Sequence, residues 1–191
     1  QYISYYRQVK RINNQLHTYT LLVLIYFFHS TFMRVTSGML QKCLLPHYTT
    51  SKTAFLCIDL QTAFAKNIPN FSSCVFVANR FSKLHGILHE HTTFHLTEQY
   101  PKGLGKTVDE IALPPLCKPV EKFSFTAFTP EIKQQLTGAE NVVVFGIEGH
   151  VCVLQTVRDL LDSQHRVYLA VDGVGSQRES DLKPALKLMR S

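Results

Sequence analysis

Short apolar runs alternate with longer amphipathic stretches from Thr53 to the end of the chain. This alternation is typical of β-α-β units that build a parallel sheet. Four runs are continuously apolar or nearly so, which is the pattern of strands buried on both faces. They predict strands at Ala54–Asp59, Thr93–Thr97, Asn141–Ile147 and Val167–Val171. The chain is therefore expected to have an α/β fold with a mostly parallel central sheet.

Three further segments carry apolar residues at helical spacing. They predict helices at Ser72–Glu90, Val151–Ser163 and Asp181–Arg190. A helix that packs on a parallel sheet normally leads into another strand, and no strand pattern follows the third helix in this sequence. We therefore expect the fold to lack a C-terminal strand and helix.

Composition narrows the class of protein. With 191 residues, 45% of them hydrophobic and 18% charged, the sequence suits one globular domain. The formal net charge is +6, but Lys and Arg are scattered without a basic run, so we expect no nucleic-acid partner. The 5 cysteines form no C-x-x-C pair, which favours a reducing, cytoplasmic location. Cys57 lies inside an apolar run and is expected to be a buried core residue.

The first part of the chain lacks the alternating pattern. We interpret residues 1–52 as an irregular leader and residues 53–191 as the domain. The apolar stretch Leu21–Phe28 is too short to cross a bilayer, which takes about 20 apolar residues, so no membrane association is expected. The leader is either sequence ahead of the true start, with Met33 or Met39 as initiator, or a mitochondrial targeting segment, which would suit its lack of acidic residues.

Functional groups in open α/β sheets collect beyond the carboxyl ends of the strands. The polar residues and the cysteine turn at these positions are Asp59, Glu98, Glu148–Cys152 and Asp172. Cys152 would lie near the N-terminus of a helix that begins around Gly149 or His150. Free amides there favour a thiolate and lower the thiol pKa from about 8.5 toward neutrality, and they can also bind an oxyanion. A buried structural cysteine is an equally weighted alternative.

Asp59 and Lys122 are the groups that could assist this thiol. Asp59 follows the first predicted strand and could accept the thiol proton, although a helix N-cap role is the simpler interpretation. Lys122 lies in an aromatic stretch where a solvated lysine is the usual expectation, but a buried ammonium would hold both partners in charged form. Together the three residues form the acid–thiol–base set that activated-nucleophile catalysis requires.

Two other motifs are not assigned a function. Four histidines, His85, His89, His91 and His95, run from a helix end into a strand, so we expect a surface set rather than a metal site. Gly146-x-x-Gly149 is not the G-x-G-x-x-G pattern that dinucleotide binding needs, so no cofactor is expected.

Four ordered motifs resemble a known family. They are Phe55–Gln61, Leu96–Gly105, Lys122–Phe128 and Val144–Thr156. In this order they look like the isochorismatase-like cysteine hydrolases, and in particular the animal isochorismatase domain-containing proteins. The resemblance covers about Thr53 to Arg190.

This resemblance implies a three-layer α/β/α fold and a small-molecule hydrolase that forms homo-oligomers. Asp59, Lys122 and Cys152 fall on the positions of its catalytic triad, and a cis peptide is implied between Ile147 and Glu148. The resemblance also places substrate or oxyanion contacts at Gln61, Glu148, Gly149, His150 and Val151. Related nicotinamidases bind a metal through aspartate and histidines that the loop 97–103 lacks, so we expect no metal. A catalytically silent interaction module is the alternative function.

Overall fold

The structure is a computed structural model that describes residues 32–35, by their backbone, and residues 52–191. The rest of the predicted leader, including Leu21–Phe28 and Met39, lies outside the described residues. So does Cys43. The account below concerns the described residues.

One six-stranded sheet forms the centre of the structure. Its strands are β1 (Phe32–Val35), β2 (Thr53–Ile58), β3 (Thr92–Gln99), β4 (Val120–Lys122), β5 (Asn141–Ile147) and β6 (Arg166–Gly175), in the spatial order β1-β6-β5-β2-β3-β4. Strands β2 to β6 run parallel to their neighbours, whereas β1 is antiparallel to β6. In the centre, Cys57 is paired with Leu96 on one side and Phe145 on the other.

Helices cover both faces of the sheet. They are α1 (Phe71–Ile87), α2 (Pro101–Leu104), α3 (Pro130–Gln135), α4 (Leu154–Asp162) and α5 (Glu179–Arg190), with a 3₁₀ turn at Thr62–Phe64 and a π-helical turn at Gly149–Val153. Within residues 32–35 and 52–191, none of these helices is long and apolar enough to cross a membrane.

The two faces of the sheet have separate cores because successive strand side chains point in opposite directions. On one face, Phe81 of α1 lies between Phe55 and Phe145, with ring centroids 4.9 and 4.8 Å apart. On the other face, Leu56 belongs to a cluster with Leu160 of α4 and apolar residues of α3 and α5. The fold is therefore a three-layer α/β/α arrangement, as predicted.

All four predicted strands and all three predicted helices are present, with ends that differ by a few residues. The prediction that Cys57 is buried is also confirmed. The leader prediction is wrong at one point, because Phe32–Val35 pairs with β6 and so belongs to the central sheet. A strand of four residues interrupted by Arg34 is too short to show a periodicity, and the even shorter β4 was missed for the same reason.

Candidate active site

The carboxyl ends of four adjacent strands bring the predicted site together. Asp59 directly follows β2, Lys122 is the last residue of β4, and Cys152 lies in the π-helical turn after β5. Strand β3, between β2 and β4, contributes Thr97 and Gln99. Asp59, Lys122 and Cys152 come from distant parts of the sequence, and the parallel sheet places them side by side.

Asp59 is buried, forms an ion pair with one neighbour and accepts a hydrogen bond from another. It has a left-handed backbone (φ 53), and its side chain is 1% exposed. Its Oδ2 lies 2.7 Å from Lys122 Nζ, and its Oδ1 accepts a hydrogen bond of 2.7 Å from Thr97 Oγ1. Burial raises the pKa of Asp59, although Lys122 and Thr97 act against this rise. The side chain is therefore no helix cap; Gln61 occupies the cap position of the 3₁₀ turn.

Lys122 is the centre of the cluster. Its side chain is 0% exposed, contrary to the expectation of a solvated lysine in this stretch. Besides Asp59, its Nζ donates to Gln99 Oε1 at 2.6 Å and to the backbone oxygens of Ser124 and Phe125 at 3.2 Å each. Its fifth contact is Cys152 Sγ at 3.6 Å. All five partners are acceptors, which is the environment that an ammonium group requires when it leaves water.

Cys152 differs in one respect from the sequence prediction. The helical turn begins at Gly149, as predicted, and the thiol points toward Lys122. However, the residue is only 7% exposed, and burial raises the pKa of Cys152 to about 12. Asp59 raises this pKa further and Lys122 lowers it. The direction of this shift is opposite to the one expected from the sequence, because desolvation outweighs the cation and the turn.

The turn that carries Cys152 begins with the peptide bond Ile147–Glu148, which is cis as the resemblance implied. The backbone oxygen of Glu148 accepts bonds of 3.1 Å from the amides of Val151 and Val153. Val151 was predicted to contribute to oxyanion binding, but in this structure its amide is engaged within the turn.

The side chains of Glu148 and His150 point to the segment after β6. The Glu148 carboxylate accepts bonds of 3.0 and 3.3 Å from the backbone and side chain of Gln177. His150 Nδ1 lies 3.1 Å from Ser176 Oγ. A side chain on Gly149 would collide with Leu182 of α5. These contacts fix the position of the cysteine turn and engage the side chains of Glu148 and His150 within the protein.

Gln61 is fully buried, and its carboxamide binds other parts of the protein. Its Oε1 accepts from the Gln99 amide at 2.7 Å, and its Nε2 donates to the oxygens of Gln99 and Gly105 at 3.0 and 2.6 Å. In this arrangement Gln61 supports the end of β3 rather than presenting its amide to a ligand. Sequence reasoning missed Thr97 and Gln99. Their signal was the spacing of two, which places both side chains on one face of a strand.

The remaining polar residues of the sequence shortlist serve other contacts. Glu98 Oε1 accepts bonds of 2.7 Å from both the amide and the hydroxyl of Thr107. Asp172 lies within β6, and its charge raises the pKa of the Cys74 thiol. His95 lies within 2.9 Å of Gln135. Among residues 52–191, no three His, Cys, Asp or Glu side chains are placed together as metal ligands would be.

Comparison with known proteins shows the family and agrees with the fold. The isochorismatase domain model matches residues 53–191. Human isochorismatase domain-containing protein 2 is 38% identical over 143 residues, covering 73% of this chain and 67% of the relative. A Leishmania donovani structure named "putative MAR1 ribonuclease" superposes with a TM-score of 0.75 at 53% identity, covering 78% of this chain and 77% of that one. A pyrazinamidase of Pyrococcus horikoshii in complex with zinc shares the fold, with a TM-score of 0.63 at 18% identity over 73% of this chain and 94% of that one.

The chain thus has the α/β/α architecture of a hydrolase fold, with a cysteine at the carboxyl edge of its sheet. It belongs to the isochorismatase family.

Proposed function

We propose that this protein is a cysteine-dependent hydrolase that acts on a small amide, ester or enol ether. The observation that carries the proposal is the position of Lys122 Nζ, which lies 2.7 Å from Asp59 Oδ2 and 3.6 Å from Cys152 Sγ inside a buried cluster. A lysine is rarely buried unless it is paired. Here it is paired with the two groups that a nucleophilic mechanism needs.

In the first step, with an amide or ester, the Cys152 sulfur attacks the carbonyl carbon and forms a C–S bond. The thiol proton passes to Asp59, whose raised pKa makes it a stronger base than an ordinary aspartate. The carbonyl π electrons move to oxygen, and backbone amides of the turn Glu148–Cys152 other than that of Val151 bind this oxyanion. When the carbonyl re-forms, the amine or alcohol leaves with the proton from Asp59.

The second step returns the enzyme to its starting state. Asp59 takes a proton from water, and the hydroxide attacks the thioester carbon. The C–S bond then breaks, the acid is released, and the Cys152 sulfur takes the proton back. Lys122 stays charged throughout and stabilises whichever neighbour carries the negative charge, the carboxylate or the sulfur.

The test is a panel of small amides, esters and enol ethers, assayed with the wild type, Cys152→Ser and the control Cys117→Ser. Cys117 lies on the chain ahead of β4, near Phe94 and away from the cluster. We expect turnover by the wild type and the control, and none by Cys152→Ser. If wild type and Cys152→Ser are equally inactive on the whole panel, the silent interaction module becomes the better description.

RNA cleavage is a second candidate, favoured by the name of the Leishmania relative. It runs against the scattered distribution of the basic residues. The same variants decide this point on a labelled single-stranded RNA. If Cys152→Ser cleaves the RNA at the wild-type rate, RNA cleavage does not use the cysteine mechanism.

We also propose that the protein forms homo-oligomers. In the described residues, Phe123 and Phe125 beside Lys122 are 73% and 62% exposed, which is unusual for large aromatic side chains of a monomer. Light scattering after size-exclusion chromatography measures the mass directly, and a monomer at micromolar concentration would contradict the proposal.

A further inference from the structure

Thr156 is a buried polar residue that the mechanism above does not use. It lies in α4, one helical turn after Cys152, and is 0% exposed. Its hydroxyl donates to the backbone oxygen of Cys152 at 2.6 Å and accepts from the amide of Ala127 at 2.7 Å. The roles are fixed, because a carbonyl oxygen only accepts and an amide only donates. The single hydroxyl is thereby used twice.

The two partners of this hydroxyl belong to the two elements that must meet in the site. Cys152 is in the turn Gly149–Val153, here called the nucleophile turn, and Ala127 lies in the loop between Lys122, where β4 ends, and Pro130, where α3 begins. Lys122 binds the same loop, because its Nζ donates to the backbone oxygens of Ser124 and Phe125. These contacts form a closed ring. Thr156 joins the Cys152 backbone to the loop at Ala127, and Lys122, which binds the same loop, contacts the Cys152 sulfur.

We propose that Thr156 is a positioning residue that sets the separation between Lys122 Nζ and Cys152 Sγ. This inference rests on the proposed function, because it assigns Thr156 to the same catalytic cluster. Without the hydroxyl, the Ala127 amide has to find another acceptor, and the loop loses its link to the nucleophile turn. Lys122 then moves with the loop, and its stabilising effect on the sulfur anion decreases with distance.

The experiment compares Thr156→Val, which keeps the shape and removes the hydroxyl, with Thr156→Ser, which keeps the hydroxyl. Thr92→Val is the matched control. Thr92 is also buried, and its hydroxyl also donates to the backbone oxygen four residues earlier, at 3.0 Å, while it lies 3.0 Å from His85 Nδ1. It is at the opposite end of β3 from the site.

The readout is the rate of Cys152 alkylation by iodoacetamide from pH 7 to 11, measured by mass spectrometry of the Cys152 peptide. We expect Thr156→Val to shift this profile to higher pH and to slow alkylation at pH 9 by about threefold to tenfold, since each pKa unit changes the thiolate fraction tenfold. Thr156→Ser and Thr92→Val should follow the wild-type profile. A wild-type profile for Thr156→Val, or an equal shift for Thr92→Val, would overturn the proposal.

Hydrogen exchange keeps the test decisive if Thr156→Val does not fold. The Ala127 amide should be protected in the wild type and in Thr156→Ser, and free exchange of this amide in the wild type would refute the bridge. Turnover is assayed in parallel on the substrate panel. If no variant and no wild-type protein turns over any substrate, the proposed function fails, while the alkylation profiles still decide the role of Thr156.

Discussion

Asp59→Asn is expected to make the Cys152 thiol more acidic while it abolishes hydrolysis. The substitution keeps the shape of the side chain. The new amide oxygen can still accept from Lys122, and the amide nitrogen can donate to Thr97 Oγ1. What disappears is one negative charge beside the sulfur, together with the base that receives the thiol proton.

The size of the effect follows from two distances. Asp59 Oδ2 and Cys152 Sγ both contact Lys122 Nζ, at 2.7 and 3.6 Å, so they are at most about 6.3 Å apart with the two contacts laid end to end. At this distance and an effective dielectric constant of about 20, two like charges repel by about 2.6 kcal/mol. Removing that repulsion corresponds to about an 80-fold larger thiolate fraction. After allowance for rearrangement, we expect at least about tenfold.

The assay is the pH dependence of Cys152 alkylation by isotope-labelled iodoacetamide, with Cys117 as an internal reference. The Asp59→Asn profile should move to lower pH, whereas Lys122→Met, which removes the cation instead, should move it to higher pH. Asp172→Asn is the charge-matched control, since Asp172 raises the pKa of Cys74 and is not among the groups that shift Cys152.

The opposite signs of the two site variants make this reasoning easy to refute. If Asp59→Asn slows alkylation across the pH range, then Asp59 activates the thiol of the unliganded protein instead of opposing its ionisation. If Asp172→Asn shifts Cys152 as strongly as Asp59→Asn does, the effect is one of overall charge and not of the cluster.

Three further predictions concern the site and its support. As the pH is lowered, kcat/KM should fall with a midpoint above pH 3.8, the ordinary pKa of an aspartate, because the base must be unprotonated and burial raises the pKa of Asp59. A midpoint at or below pH 3.8 would contradict this. Gln61→Leu should lower the free energy of unfolding in urea by about 2 to 4 kcal/mol, since it leaves backbone groups of β3 unpaired, and an unchanged midpoint would show that water replaces the carboxamide. Gly146→Ala should lower the free energy of unfolding by about 3 kcal/mol or more, because residue 146 has a φ of +123 and a Cβ there collides with the backbone of Ile58. The control Gly86→Ala places its Cβ in open space, so by the same measurement it should leave the free energy of unfolding unchanged or raise it by up to about 1 kcal/mol.

The fold could be predicted where its strands are buried on both faces. Strands β2 and β5 are continuous apolar runs, and their limits in the structure agree with the pattern to within one residue. Strand β4 escaped prediction because it has only three residues, two of which, Glu121 and Lys122, are charged. Its place in the sheet is determined by pairing with β3, which is a tertiary contact that no local pattern reveals.

That the candidate site residues lie together could be predicted, but their burial and the pKa of the thiol could not. Asp59 and Cys152 follow apolar strands, so the rule for carboxyl ends of parallel strands was enough to select them. The burial of Lys122 depends on acceptors from five residues of different segments, which only the folded chain assembles. The pKa of the thiol was predicted wrongly for a related reason. A helix N-terminus is visible in a sequence, whereas the desolvation that opposes it is a property of packing.

The buried ion pair suits the proposed mechanism, in which the thiol is protonated at the start. Burying Asp59 or Lys122 alone would cost several kcal/mol, but together they form a neutral unit whose charges compensate each other. In the proposed transfer of the thiol proton to Asp59, the negative charge moves from the carboxylate to the Cys152 sulfur, and Lys122 contacts both groups. The net charge of the cluster is the same before and after this transfer, so the step requires no additional charge to leave water. In the proposed mechanism, Lys122 therefore serves folding and chemistry through the same contacts.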